Sequence, residues 1–523
     1  MLAHRSFSQA LPMRGLRGLL SGRVFSLVFL LLPACLSSSK AYGDVGVVLN
    51  ESLDTSVARI TGSGHTAVYF SRICPESPVK LRLCQPGEQG SVISNYITLG
   101  EDQPFEWNIV PLNVYVYGVE NPRFRPLVGS QKIKHVLEER YREKYLSEYC
   151  ASEFCQTSHK AEWREMVGAS LERSIYMFVV DTTVQQDLAL IDQFNAEANQ
   201  NHFNGMTRNC ADFTRRIINT YFPNATEPDY INDFGITSPK AIARSFTRYA
   251  HRHPDAGFRV LHFAQVPGTI KRSSECRAGT EQLVRSKKLL VPMLIFADHV
   301  VPFVAASYIL TGRFDPQREL EEYPTIEATE AEHQIKLAKA ENNDVLVEEL
   351  ESDKNEQRAK MVGTSAEWKQ YRASFAYILA ESAGEQNPSL SLNRPLTGSP
   401  NGSLNTNGSL KKFFRRLDEA GTPVADRDGA LWMEFADGDE SSRIGLSANN
   451  VFSSGTDADL AYQLVLARVG HVLKSPKHSR ESMVEFRKDW SLLQSVRSNR
   501  ASALAKTAPA AAGQDGSVLS GNE

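Results

Sequence analysis

The chain has 523 residues, 58 of them Lys or Arg and 61 Asp or Glu, giving a net charge of −3. That length exceeds one average domain, so two or three packed units with a linker or tail are expected. The near balance of charge argues against a nucleic-acid binder driven by bulk charge, and no nucleic-acid partner is expected.

Residues 1–41 read as an export signal. Arg14, Arg17 and Arg23 precede the apolar run Val24 to Leu36, which is too short to span a bilayer, and Ser39 and Ala41 suit signal-peptidase cleavage. Leu32-Pro33-Ala34-Cys35 resembles a lipoprotein box, the competing fate for this segment. Either way the chain is expected in the cell envelope, periplasmic or membrane-associated. In an oxidising envelope, Cys74 with Cys84 and Cys150 with Cys155 are close enough in sequence to form disulfides. Cys150-x4-Cys155-x3-His159 also has loosely metal-like spacing, but no fourth ligand is evident nearby. Cys210 and Cys276 are left unpaired.

Residues 42–270 carry an antiparallel β pattern followed by helices. Strands are predicted over Val45 to Leu49, from His65 through Phe70, over Val79 to Cys84 and Val92 to Ile97, and in the β-branched and aromatic stretch ending at Tyr117. His65 opens its strand after Gly62-Ser63-Gly64 and shares a face with Ala67 and Tyr69. Lys132 to Tyr149 reads as a charged helix, and Ile175 to Asp181 as an apolar strand. Thr182 or Thr183 caps a helix from Val184 to Asn199, and Asn201 to Arg208 form a polar loop delivering Asn209-Cys210.

Cys210 then opens an amphipathic helix, with Phe213, Ile217 and Tyr221 on the buried face and Pro223 ending it. A thiol there meets unpaired backbone N–H groups and the positive end of the helix dipole. Both lower its pKa and supply oxyanion donors. Thr237-Ser238-Pro239 starts a further helix to Tyr249, and His251 and His253 read as its terminus rather than as metal ligands.

A strand histidine preceding an Asn-Cys-x-x-Phe helix start resembles the circularly permuted papain-like thiol hydrolases, which include lecithin:retinol acyltransferase-like proteins and bacterial envelope families. The resemblance covers roughly Asp44 to Pro254, under half of the chain. It implies an α+β fold with an antiparallel sheet and packed helices, Cys210 as nucleophile and His65 as general base. Asn209 and Tyr69 are candidates for positioning or oxyanion binding. A third polar group usually orients the imidazole, and Gln85, Glu88 and Asn95 are all open for that role. No cofactor and no metal are expected. The substrates implied are a peptidoglycan peptide, a lipid or an acylated protein, attacked at an amide or ester by a hydrolase or acyltransferase. The alternative is a non-catalytic envelope binding or scaffold protein in which Cys210 is packing.

Within residues 271–312, Leu289 to Leu310 is long enough to cross a membrane, but Asp298, His299, Pro292 and Pro302 favour a buried or membrane-dipping hairpin. A membrane surface is therefore a candidate partner. Residues 313–386 read as charged helices, 387–410 as a linker rich in Ser, Asn, Pro and Gly, 411–500 as a small α+β module and 501–523 as a low-complexity tail.

Overall fold

The computed structural model describes residues 42–53, 64–96, 105–149, 152–153, 166–200, 202–285, 291, 295, 300–322, 348, 365–384, 410–437, 440–451, 458–474 and 483–507. Residues 1–41, read above as an export signal and including Cys35, lie outside these residues, as do Cys150, Cys155 and nearly all of the stretch 387–410 read as a linker.

Short runs of β-branched and aromatic residues supply the strands β1 (Gly43–Asn50), β2 (His65–Phe70), β3 (Ile73–Ser77), β4 (Lys80–Leu83), β5 (Ser91–Ser94), β6 (Asn108–Pro111), β7 (Ile175–Thr182) and β8 (Arg259–Phe263). Six of them form one sheet in the order β6-β5-β2-β1-β7-β8. Every neighbouring pair is antiparallel, with Asn50 opposite His65 and Val68 opposite Ile93. β3 and β4 pair only with each other, in a hairpin closed by the Cys74–Cys84 disulfide. The sequence reads Cys74 as lying in a loop; it lies on β3.

The sheet is buried on both faces. Val48, Ala67, Tyr69, Val92 and Val179 enter one apolar layer, while Val47, Val68, Phe70, Ile93 and Phe178 enter the other. The second layer is covered by α3 (Val184–Ala196), α4 (Cys210–Tyr221) and α5 (Pro239–Arg252). The first is covered by α1 (Leu112–Tyr117) and α2 (Gln131–Tyr141). α1 departs from expectation, since Val114, Tyr115 and Val116 read as strand. Pro111 breaks the ladder before them, and Gly118 closes the helix at φ 78°, a left-handed C-cap. Burial of all three residues outweighs their β-propensity.

Further along lie α6 (Gly279–Arg285), α7 (Val300–Ser307), α8 (Pro316–Glu322), α9 (Ser365–Gly384) and α10 (Leu410–Ala420). The strands β9 (Thr422–Ala425), β10 (Leu431–Asp437) and β11 (Glu440–Gly445) form a second, antiparallel sheet, followed by α11 (Ala458–Lys474) and α12 (Met483–Thr507). Phe414, Met433, Tyr462 and Phe486 belong to the same apolar layer as Val114 and Leu137. The backbone is joined there as well: Leu127 N–H donates to the Leu446 carbonyl (2.8 Å), and Arg468 Nη1 to the Leu127 carbonyl (3.0 Å). The architecture is mixed α+β with antiparallel sheets. Among the described residues no helix is long and apolar enough to cross a membrane.

Candidate active site

Helix α4 starts where it does because Asn209 caps it. Its Oδ1 accepts from Ala211 N–H (2.8 Å) and Asp212 N–H (3.1 Å), and Asp212 returns a bond to Asn209 N–H (3.3 Å), a reciprocal capping box. Asn209 Nδ2 donates to the Gly205 and Thr237 carbonyls, and Thr237 Oγ1 donates to Asp212 (2.7 Å). The Asn209 amide is therefore fully used in fixing the helix start; it positions Cys210 and has no donor left for an oxyanion. Phe213, Ile217, Ile218 and Tyr221 anchor the helix in the apolar layer.

The Cys210 sulfur, half-buried, is approached by the backbone N–H groups of Thr66, Ala211 and Cys210 itself. Thr66 immediately follows His65, so the thiol sits at the opening residues of β2. The imidazole leaves that strand on the face of Ala67 and Tyr69, whereas α4 packs on the face of Val68 and Phe70. The thiol therefore lies against the Thr66 backbone on one side of β2, and the imidazole leaves the strand on the other. His65 is buried and stacks on Tyr96, with ring centroids 4.1 Å apart and planes 11° from parallel. Its Nε2 is buried without a hydrogen-bond partner. Continuing the β2–β5 register by two residues sets Asn95 beside Thr66 and Tyr96 near His65, as the stacking requires.

The electrostatics reverse one expectation. Burial pushes the Cys210 thiol up to about 11, with the Asp212 carboxylate adding to the rise; the three N–H groups oppose it but do not prevail. Burial also drives the His65 imidazole well below its ordinary range, helped by the Arg173 guanidinium. The thiol is not lowered by its place at the helix start, because losing water costs a thiolate more than a few backbone dipoles return. At neutral pH both groups rest uncharged, Cys210 as a thiol and His65 as a neutral imidazole.

Of the three candidates for the orienting group, Glu88 is held in a two-pronged pair by Arg82 (both 2.7 Å), and it also accepts from the Gln85 N–H. Gln85 and Glu88 both lie in the turn that follows β4. Asn95 is the one brought to the site: its Nδ2 donates to the Glu106 carbonyl (2.6 Å), and its Oδ1 is buried without a partner. Tyr69 lies four residues along β2 from His65, about 13 Å at the rise of a strand. There it is buried near Asp44, Arg259 and Arg72, far from the thiol. Tyr96 and the Thr66 N–H escaped the sequence reading; a tyrosine one residue beyond Asn95 was the available signal.

Beside the helix start opens a cleft of about 550 Å³ lined by Asn95, Glu106, His202, Arg208, Asn209 and Arg216, among others. It is large enough for a small-molecule or peptide segment. His251 is taken by Glu319 (3.0 Å) and His253 by the Tyr249 carbonyl (2.8 Å), each within its own helix terminus or packing contact. Cys276 is buried and donates to the Asn50 carbonyl (3.1 Å), with burial pushing its thiol far above the usual range.

Compared with family models, curated proteins and solved structures, the chain matches none.

Proposed function

We propose that this protein is an envelope thiol hydrolase or acyltransferase on a permuted papain-like fold, acting on an amide or ester through an acyl group carried on Cys210. The observation behind the reading is the Cys210 sulfur at a capped helix start, among backbone N–H groups that include that of Thr66, the residue after a buried histidine whose Nε2 has no hydrogen-bond partner.

Because thiol and imidazole both rest neutral, His65 acts as a general base during attack. It takes the Sγ proton as the sulfur bonds to the substrate carbonyl carbon. The Cys210 N–H, which the Asn209 cap does not use, receives the oxyanion. The C–N or C–O bond then breaks, and His65 returns the proton to the departing amine or alcohol. Water, deprotonated by His65, releases the acid; an amine or alcohol acceptor in its place yields a new amide or ester.

An activated ester incubated with the full chain tests this. The expected result is an acyl adduct on Cys210 by peptide mass, absent in Cys210→Ala and strongly slowed in His65→Ala. Equal labelling of wild type and Cys210→Ala would sink the proposal. That outcome favours the second reading, a non-catalytic binding or scaffold protein, which draws on the thiol standing at about 11.

A further inference from the structure

We infer that a patch of exposed apolar side chains on the loop after α4 and on α7 with the turn that follows it docks onto an anionic lipid bilayer. Tyr230, Ile231, Phe234, Phe303, Ile309 and Leu310 are each between 52% and 80% exposed. Isolated exposed apolar residues are ordinary, but six large ones on two adjoining segments are not. The segments are tied together at Asn232, which lies between Ile231 and Phe234. Its buried side chain receives a hydrogen bond from Ser307 Oγ (3.3 Å), and its carbonyl one from Thr280 N–H (2.8 Å). Gly312 also lies against Asn232.

Phe234 has φ 53°, a left-handed conformation unusual for a bulky residue, and its half-exposed ring lies against Gly279. Pro302, Phe303, Ala306, Ile309 and Leu310 recur at helical spacing and are all exposed, so one whole side of this apolar helix and the turn after it faces outward.

The occupant is argued from charge. Arg313 follows the patch directly, and Arg208 lies on the loop that carries exposed Met206 into Asn209. Both guanidinium groups are exposed, and neither makes an ion pair among the described residues. Of the carboxylates nearby, Asp229 is held by Arg244, and Asp315 caps α8 through Gln317 N–H (3.0 Å). An apolar surface bordered by free arginines complements acyl chains below a layer of phosphate headgroups. No described helix spans, so the contact lies in the interface plane.

The same loop reaches the site, since the Thr237 carbonyl accepts from Asn209 Nδ2 (3.0 Å). Docking therefore brings the start of α4, which carries Cys210, towards the lipid surface. Only that consequence rests on the thiol-enzyme reading, giving it a membrane-held acyl substrate.

Hydrogen exchange by mass spectrometry on the full chain, with vesicles of phosphatidylglycerol and phosphatidylethanolamine, reads the contact locally. Exchange over 230–235 and 302–313 should slow several-fold with these vesicles and remain unchanged with phosphatidylcholine alone. Phe303→Ser with Leu310→Ser, with thermal unfolding checked as unaltered, should weaken vesicle binding by about 10- to 100-fold, the loss for two apolar side chains. Cys210→Ala should bind vesicles as wild type does, so failure of the catalytic reading leaves docking standing. Protection equal on neutral vesicles, protection confined to other segments, or protection that grows with protein concentration without lipid would each overturn the inference, the last by assigning the patch to a second copy.

Discussion

Burial at Cys210 and His65 acts in the same sense on both: each is pushed towards its uncharged form, the thiol up and the imidazole down. A resting thiolate–imidazolium pair would show alkylation saturating near neutral pH. Here the rate of iodoacetamide alkylation at Cys210 should keep rising with pH towards about 11. Asp212→Asn should move that rise to lower pH, because it removes the carboxylate that opposes the thiolate. A plateau below pH 8 would contradict the assignment. The lowered imidazole gives a second expectation. A base that stays neutral further into acid retains its proton-accepting form, so the acid limb of kcat/KM should fall below the ordinary histidine value of about 6.5. Replacing Tyr96 by Leu removes the ring stacked on His65; it should lower kcat more than it raises KM, since it affects base placement and not the cleft.

At the scale of elements, helix α4 was fully legible. Its cap, its apolar spacing and its stop before Pro223 are local signals, and the observed helix runs Cys210–Tyr221. The same holds for α3, where Thr183 and Gln186 form a capping box, and for α5 behind Ser238. β8 was not read from the sequence, because five residues between a helix and a turn carry little periodicity, and their strand character comes from pairing with β7. The His65 strand was legible, but that its ring stacks on Tyr96, on the side of β2 away from α4, depends on the pairing with β5, which no local pattern encodes.

Asn209→Ala should cost about 1 kcal/mol from the cap alone. It also removes the bonds to the Gly205 and Thr237 carbonyls. Urea unfolding measures the sum, and an unchanged midpoint would contradict it. Asp187 couples α3 to α4. Buried, it accepts from Tyr221 Oη (2.9 Å) and Thr182 Oγ1 (3.4 Å), and burial raises it from 3.8 to about 6. The folded state thus binds its proton more tightly than the unfolded chain does. That contribution is fully present below about pH 4 and is lost as pH rises through 6. Asp187→Asn should flatten this part of the stability–pH curve and stabilise the protein at pH 7 relative to wild type. An identical slope between pH 4 and 6 in wild type and variant would refute the assignment.

At the scale of the whole molecule, the Cys74–Cys84 pairing was legible from the spacing of the two cysteines, although the strand carrying Cys74 was not. Opening a loop with a sequence separation of 10 should lower stability by roughly 2–3 kcal/mol. The double Ala variant compared by chemical denaturation measures that loss. What the sequence could not convey is the shared core. A Ser-, Asn- and Gly-rich stretch before residue 411 looks like a boundary, so 42–270 and 411–500 read as separate units. In the structure, α2 and α1 meet β9 to β11 and α11 in one apolar layer, and fully buried Leu137 and Val114 belong to it together with Phe414, Leu431 and Val465. Such contacts link residues some 300 positions apart, invisible to any window of local pattern. Ending the chain at residue 322 should therefore uncover the side of the α1–α2 layer that the C-terminal elements close, with several large side chains exposed at about 1.5–3 kcal/mol each. Against a typical net stability of about 5–15 kcal/mol, the shortened chain should aggregate or fail to give a cooperative melt. Residues 365–507 supplied as a separate chain should restore folding by covering that side. A shortened chain that melted cooperatively alone, with thiol reactivity at Cys210 unchanged, would show that the first layer closes without the C-terminal elements.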